Sequence, residues 1–140
     1  MRNKLLAVLI FLLFAISICV IGDAAQMEFR EFTVEVPEGW AAQQKGSTVV
    51  ISANDNSAAI TVTLDSSGGM SLEETAKAFA KELNGSNLRL EADVYRFNFK
   101  NERGVDSIML ISGEGNKYTA VSITGDHPEV KVIIDSLRAK

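Results

Sequence analysis

The feature that most constrains this chain is a series of short alternating runs, parted by turns too short to cross a sheet. "STVVISA" and "SAAITVTLD" are separated by the turn-forming Asn54-Asp55-Asn56. "VDSIMLIS" follows the turn "NERG", and "KYTAVSIT" follows the turn "GEGN". Apolar and polar residues alternate in each run, the pattern of a strand with one buried face. Ile60, Val62 and Leu64 mark that face in the second run. Asn, Asp and Gly supply the backbone conformations a tight reversal needs. A parallel pair would require a connection of about a dozen residues or more, so neighbours joined this tightly run antiparallel. The chain is committed to a mostly antiparallel sheet.

Two further runs join that sheet. "FREFTVEVP" places Phe32, Val34 and Val36 on one face and Glu31, Thr33 and Glu35 on the other, and Pro37 with Glu38-Gly39 ends it. Trp40 opens the next segment, "WAAQQKG". "NLRLEADVYRFNFK" changes phase near Ala92–Val94: Leu88 and Leu90 share one phase, Tyr95, Phe97 and Phe99 the other. A bulge or a break into two strands accounts for the change.

Two segments have a helical period instead. In "SLEETAKAFAKELNG", Leu72, Ala76, Phe79, Ala80 and Leu83 fall on one face. Ser71 and Glu74 have capping-box spacing, and Gly85 stands where a left-handed C-terminal cap is expected. "DHPEVKVIIDSLRAK" predicts a second helix, with Asp126 as its cap, Pro128 in its first turn and Glu129 completing a capping box. Val130, Ile133, Ile134 and Leu137 form its apolar stripe. Amphipathic helices must bury their stripes on a sheet, which gives an α+β fold: a mostly antiparallel sheet of about six strands flanked by two helices.

The N-terminus reads as an export signal. Arg2 and Lys4 precede an apolar run from Leu5 to Ile21, and Gly22, Asp23, Ala24 and Ala25 follow. The run is at the short edge of what spans a bilayer, and no basic stop-transfer cluster follows it. Small side chains at Gly22 and Ala24 suit cleavage before Ala25, and cleavage before Gln26 is nearly as good. The alternative is a lipoprotein anchored at Cys19, but the bulky Ile18 precedes that cysteine where a small residue is wanted. The expectation is a signal peptide over residues 1–24, a single domain over residues 25–140, and a periplasmic or secreted location. The membrane is then met only through the cleaved signal, or through a lipid if Cys19 is processed.

The whole chain carries a net charge of −4, and losing Arg2 and Lys4 with only Asp23 makes the remainder more acidic. Nucleic acid and anionic membrane surfaces are therefore poor partners. Cys19 is the chain's 1 cysteine, so residues 25–140 form no disulfide.

With these elements placed, a resemblance emerges. "FTVEVPEGW" resembles the opening strand and tryptophan turn of the PsbP-like families, which include the DcrB-type periplasmic proteins. The similarity continues through "SLEETAKAFAKEL" and the final "IIDSLRAK". The resemblance implies an α-β-α sandwich serving binding, assembly or chaperone-like roles. It implies no catalytic residue, because no functional residue of those families can be matched to this sequence, and fold alone transfers no activity.

The chemistry in the sequence is sparse. His127 stands alone, with no second histidine and no cysteine after the signal to complete a metal or nucleophile site, so it reads as a capping or solvated residue. No GxSxG or phosphate-loop motif occurs. "SSGGM" reads as a connector into the capped helix. Asp55, Asp65, Glu91 and Asp93 lie near strand ends without calcium-loop spacing. No catalytic, metal or cofactor-binding residue is expected, and no cofactor. Alternating aromatics such as Tyr95, Phe97 and Phe99 are what a sheet buries under a helix. Trp40, at a loop margin, and Tyr95 are the candidate ligand or partner surface.

The expected function is that of an exported, non-catalytic binding or accessory protein of the cell envelope, with an unknown protein partner. The alternatives are a carrier of a small apolar ligand, which requires an aromatic-lined pocket, and a hydrolase using paired carboxylates.

Overall fold

A computed structural model describes residues 25–140; the signal segment and Cys19 lie outside the described residues. Ten strands and two helices occur there. The strands are β1 (Ala25–Glu28), β2 (Phe32–Val36), β3 (Trp40–Lys45), β4 (Thr48–Ala53), β5 (Ala58–Ser66), β6 (Ser86–Glu91), β7 (Val94–Lys100), β8 (Asp106–Glu114), β9 (Lys117–Gly125) and β10 (Arg138–Ala139). The helices are α1 (Leu72–Glu82), between β5 and β6, and α2 (Val130–Ser136), between β9 and β10.

Seven strands form one sheet in the order β3-β4-β5-β9-β8-β7-β6, and every neighbouring pair is antiparallel. The remaining three form a small antiparallel sheet, β1-β2-β10. The strands exceed the six or so read from the sequence because three of them show little alternation. β3 is "WAAQQK", β1 is four residues long, and β10 is only two. Each is defined by its partner: Ala42 and Gln44 of β3 lie opposite Ile51 and Val49 of β4.

The phase change at Ala92–Val94 is a break. Ala92 and Asp93 both have positive φ, 48° and 66°, and form the two-residue reversal between β6 and β7.

Helix α1 begins as read. Ser71 Oγ accepts from the Glu74 N–H at 3.1 Å, and Glu74 Oε2 accepts from the Ser71 N–H at 3.3 Å. Its other end differs. Asn84, with φ 52°, is the left-handed residue, and Gly85 is not. Gly85 is a glycine for a different reason: a Cβ there would collide with the Phe97 ring.

Helix α2 also starts later than the sequence suggests. Its N-cap position is Glu129, which makes no side-chain capping bond, and Asp126 lies exposed outside the helix. The Glu129 N–H donates instead to His127 Nδ1 at 3.1 Å. His127 takes the acceptor role assigned to Asp126.

The core is in two parts, on opposite faces of the large sheet. Ala120 and Val121 are consecutive in β9 and so project to opposite sides. Val121 joins Val49, Ile51, Ile60 and Val62 beneath the small sheet's Phe32, Val34 and Val36 and helix α2's Ile133. Ala120 joins Phe97, Met109 and Ile111 beneath α1, whose Ala76 is fully buried. Helices therefore lie on both faces, giving an α-β-α arrangement.

Candidate functional site

The two covers are offset. On the face carrying α1, the helix packs against β6, β7 and β8. The β4–β5–β9 part of that face remains open, and the register fixes what lines it. Thr61 of β5 lies opposite Ser122 of β9, which lies opposite Met109 of β8. One row further along, Ser52, Ala59, Thr124 and Ser107 follow one another across four strands. The apolar end of this face is sealed by α1; the end rich in hydroxyls forms the floor of a cleft of about 540 Å³.

Two turns wall the cleft. One is the β4–β5 turn, with Asn56 and Ser57; the other is the β7–β8 turn, with Asn101, Glu102, Arg103 and Val105. Both are held by their own side chains. Asp55 Oδ1 accepts from the Ser57 N–H at 2.9 Å. The side-chain and backbone hydrogen bonds from Ser57 hold the Asp55 carboxyl below its ordinary value. Asn101 Oδ1 accepts from the N–H groups of Arg103 and Val105, both at 2.9 Å, which leaves its Nδ2 donors unused by the turn. These Asx-type bonds fix the walls before anything binds.

The floor is a network of hydroxyls. Thr61 and Ser122 are hydrogen-bonded to each other. Ser107 and Thr124 are bonded at 2.7 Å, and Ser107 also donates to the Val105 carbonyl at 3.2 Å. Phe99 contributes the one aromatic ring among the lining residues, and Glu102 and Arg103 contribute one charge of each sign. No lining residue is a histidine or a cysteine. The floor strands lie inside the sheet, so their backbone groups are engaged in its ladders, and only side chains are left to recognise a ligand.

The residues singled out from the sequence lie elsewhere, and the structure does not bring them together. Trp40 is 8% exposed and packs in the core beneath the small sheet, edge-on to His127 at 5.1 Å. Tyr95 is half-buried on the opposite face, in the cluster under α1. Among the described residues, no group of three histidine, cysteine or carboxylate side chains converges as a metal site. A second depression, about 290 Å³ and largely apolar, lies between the α2–β10 segment and the sheet, lined by Leu64, Leu110, Ile134 and Leu137 among others. Arg96 Nε and Glu129 Oε2 are buried without a partner, and neither lines the cleft.

The cleft residues were missed in the sequence, although a signal was present. The outward positions Thr61 and Thr63 of "ITVTLD" and Ser122 and Thr124 of "AVSITG" all carry hydroxyls and no charge.

A mostly antiparallel sheet between helices on its two faces is the PsbP-like α+β fold, and two solved structures share it. The solution structure of cyanobacterial PsbP (CyanoP) from Synechocystis sp. PCC 6803 matches with a TM-score of 0.57 and 9% sequence identity, covering 85% of this chain and 94% of that one. A crystal structure from Bacteroides thetaiotaomicron VPI-5482 matches with a TM-score of 0.52 and 20% identity, covering 78% of this chain and 45% of that one. The chain thus spans less than half the length of the Bacteroides protein. Likeness at these identities is one of fold. No protein-family model matches the chain, and no curated protein matches it. No helix among the described residues is long and apolar enough to cross a membrane.

Proposed function

We propose that this protein is exported to the cell envelope and acts there as a non-catalytic binding or accessory protein, periplasmic or secreted, with the open cleft as its binding surface. The cleft carries this reading. It has the size of a ligand site, within the usual range of about 300–1,000 Å³, and its polar groups sit on preset turns and sheet. A nucleophilic hydroxyl needs an adjacent base to activate it, whereas Thr61 and Ser122 bond to each other. The resemblance of "FTVEVPEGW" and "IIDSLRAK" to DcrB-type periplasmic proteins supports the same role and location. A carrier of an apolar ligand has less support: Trp40 and Phe97 are buried in the core, and the apolar depression beside α2 is small.

The test is photo-crosslinking in living cells. A photoreactive residue replaces Ser57 or Arg103 on the cleft walls, with Glu82 on α1 as the control position. Adducts at the two wall positions and none at the control are expected. Labelling at the control alone, or at no position, would overturn the cleft as the binding surface.

A further inference from the structure

We infer that the cleft takes a neutral saccharide segment, an inference that rests on the binding role proposed above and names its ligand class. The lining decides among ligand chemistries. An apolar ligand would cover the Ser52 hydroxyl and the one O–H that the Thr61–Ser122 pair leaves free without giving either a partner, and a buried hydroxyl left without a partner is costly. An anion would meet one cation, Arg103, with the Glu102 carboxylate beside it in sequence, and a cation would meet the reverse. Neither sign of charge is selected. An extended peptide is commonly captured by main-chain pairing at a sheet edge. The cleft floor belongs to β4, β5 and β9, all of them interior strands.

A polyhydroxyl ligand fits what remains. Each hydroxyl of the floor supplies one donor and two acceptor sites. The bond between Thr61 and Ser122 consumes one donor, so the pair keeps an O–H and lone pairs for a ligand. Sugar hydroxyls present the same mixture of donors and acceptors. The Asn101 amide adds N–H donors at the wall, its oxygen being already engaged by the turn. Phe99 adds an apolar ring to the same lining, suited to the C–H face of a pyranose. The ring is anchored in the cluster under α1, where it lies 6.0 Å from Phe97. Its position is therefore set by the core, as are the hydroxyl positions by the ladder, and little ordering remains to oppose binding.

The experiment is an amide-resonance titration of the purified protein with maltotriose, cellotriose and chitotriose, each separately. Octanoate and inorganic phosphate serve as probes of the other ligand classes. At least one trisaccharide is expected to shift the amides of Ser52, Thr61, Phe99, Ser122 and Thr124. Thr61→Val removes a hydroxyl at nearly constant shape and should weaken binding about tenfold. Phe99→Leu keeps the core filled while removing the ring, and should weaken it similarly, so the inference remains testable if either variant folds poorly. Lys81→Ala, exposed on α1, should leave affinity unchanged. Shifts at these amides from octanoate or phosphate with none from the trisaccharides would overturn the saccharide class. So would no shift from any probe. In both cases crosslinks at Ser57 and Arg103 would leave the binding role standing, and their absence would remove it too.

Discussion

His127 shows how a single side chain can be assigned to the right region and the wrong neighbour. The sequence places it at a helix start with Asp126 as the cap, because aspartate is a preferred N-cap and Glu129 sits three residues on. The structure gives the acceptor role to the imidazole, which takes the Glu129 N–H on Nδ1 and sets its ring edge-on to Trp40. That contact joins residues far apart in sequence, so no local rule could reveal it. The expected energetics are reversed accordingly. His127→Ala should cost about 1–2 kcal/mol, from a lost hydrogen bond and a lost aromatic contact. Asp126→Ala, at an exposed position with no capping bond, should fall within about 0.5 kcal/mol of the parent. Chemical-unfolding midpoints of the two variants decide it, and a larger loss from Asp126→Ala would restore the aspartate as the cap.

Among the elements, legibility followed locality. Helix α1 could be read because both partners of its capping box lie within four residues and its stripe repeats cleanly. The hairpin strands β4, β5, β8 and β9 could be read because alternation and turn chemistry agree. Strands β3 and β10 could not, since their sequences carry no strong period and their pairing is imposed by β4 and β2. Helix α2 was legible in its stripe but not in its start. It packs on β2, with Ile133 fully buried and Val130, Ile134 and Leu137 partly so. Ser136 Oγ accepts from the Glu35 N–H of β2 at 2.9 Å, and β10 then pairs with the same strand. Each buried aliphatic side chain contributes about 1.5–3 kcal/mol, against a total stability of about 5–15 kcal/mol for an ordinary domain. A chain ending before Val130 should therefore lose cooperative unfolding, or unfold far below the full-length midpoint. A truncated protein with a cooperative transition near that midpoint would make α2 an appendage. Circular dichroism on both chains provides the measurement.

At the scale of the molecule, the α+β class followed from element order, but the cleft did not, because it exists only once β4, β5, β9 and β8 are in register. Thr61 and Ser122 are 61 positions apart, and nothing local marks them as neighbours. The architecture also bears on export. Ala25, the residue that would follow the favoured cut, is paired with Val36 in β1. Strands β1 and β10 flank β2 on its two sides. A peptidase reaches an extended segment and not one laid into a sheet, so removal of a signal ahead of Ala25 would have to precede the docking of β1. Cleavage before Ala25 would keep all four described pairs of β1 with β2; cleavage before Gln26 would cost the Ala25–Val36 pair. A lipid on Cys19 would instead leave residues 20–24 as a tether, about 17 Å when fully extended, holding the domain close to the membrane. The expected mature protein begins at Ala25 or Gln26 and carries no lipid, and Cys19→Ala leaves its release unchanged. Intact mass of the exported protein, with the Cys19→Ala variant processed in parallel, measures this. A diacylated species beginning at Cys19, or loss of processing in the variant, would make the protein a lipoprotein whose cleft is presented at the membrane surface.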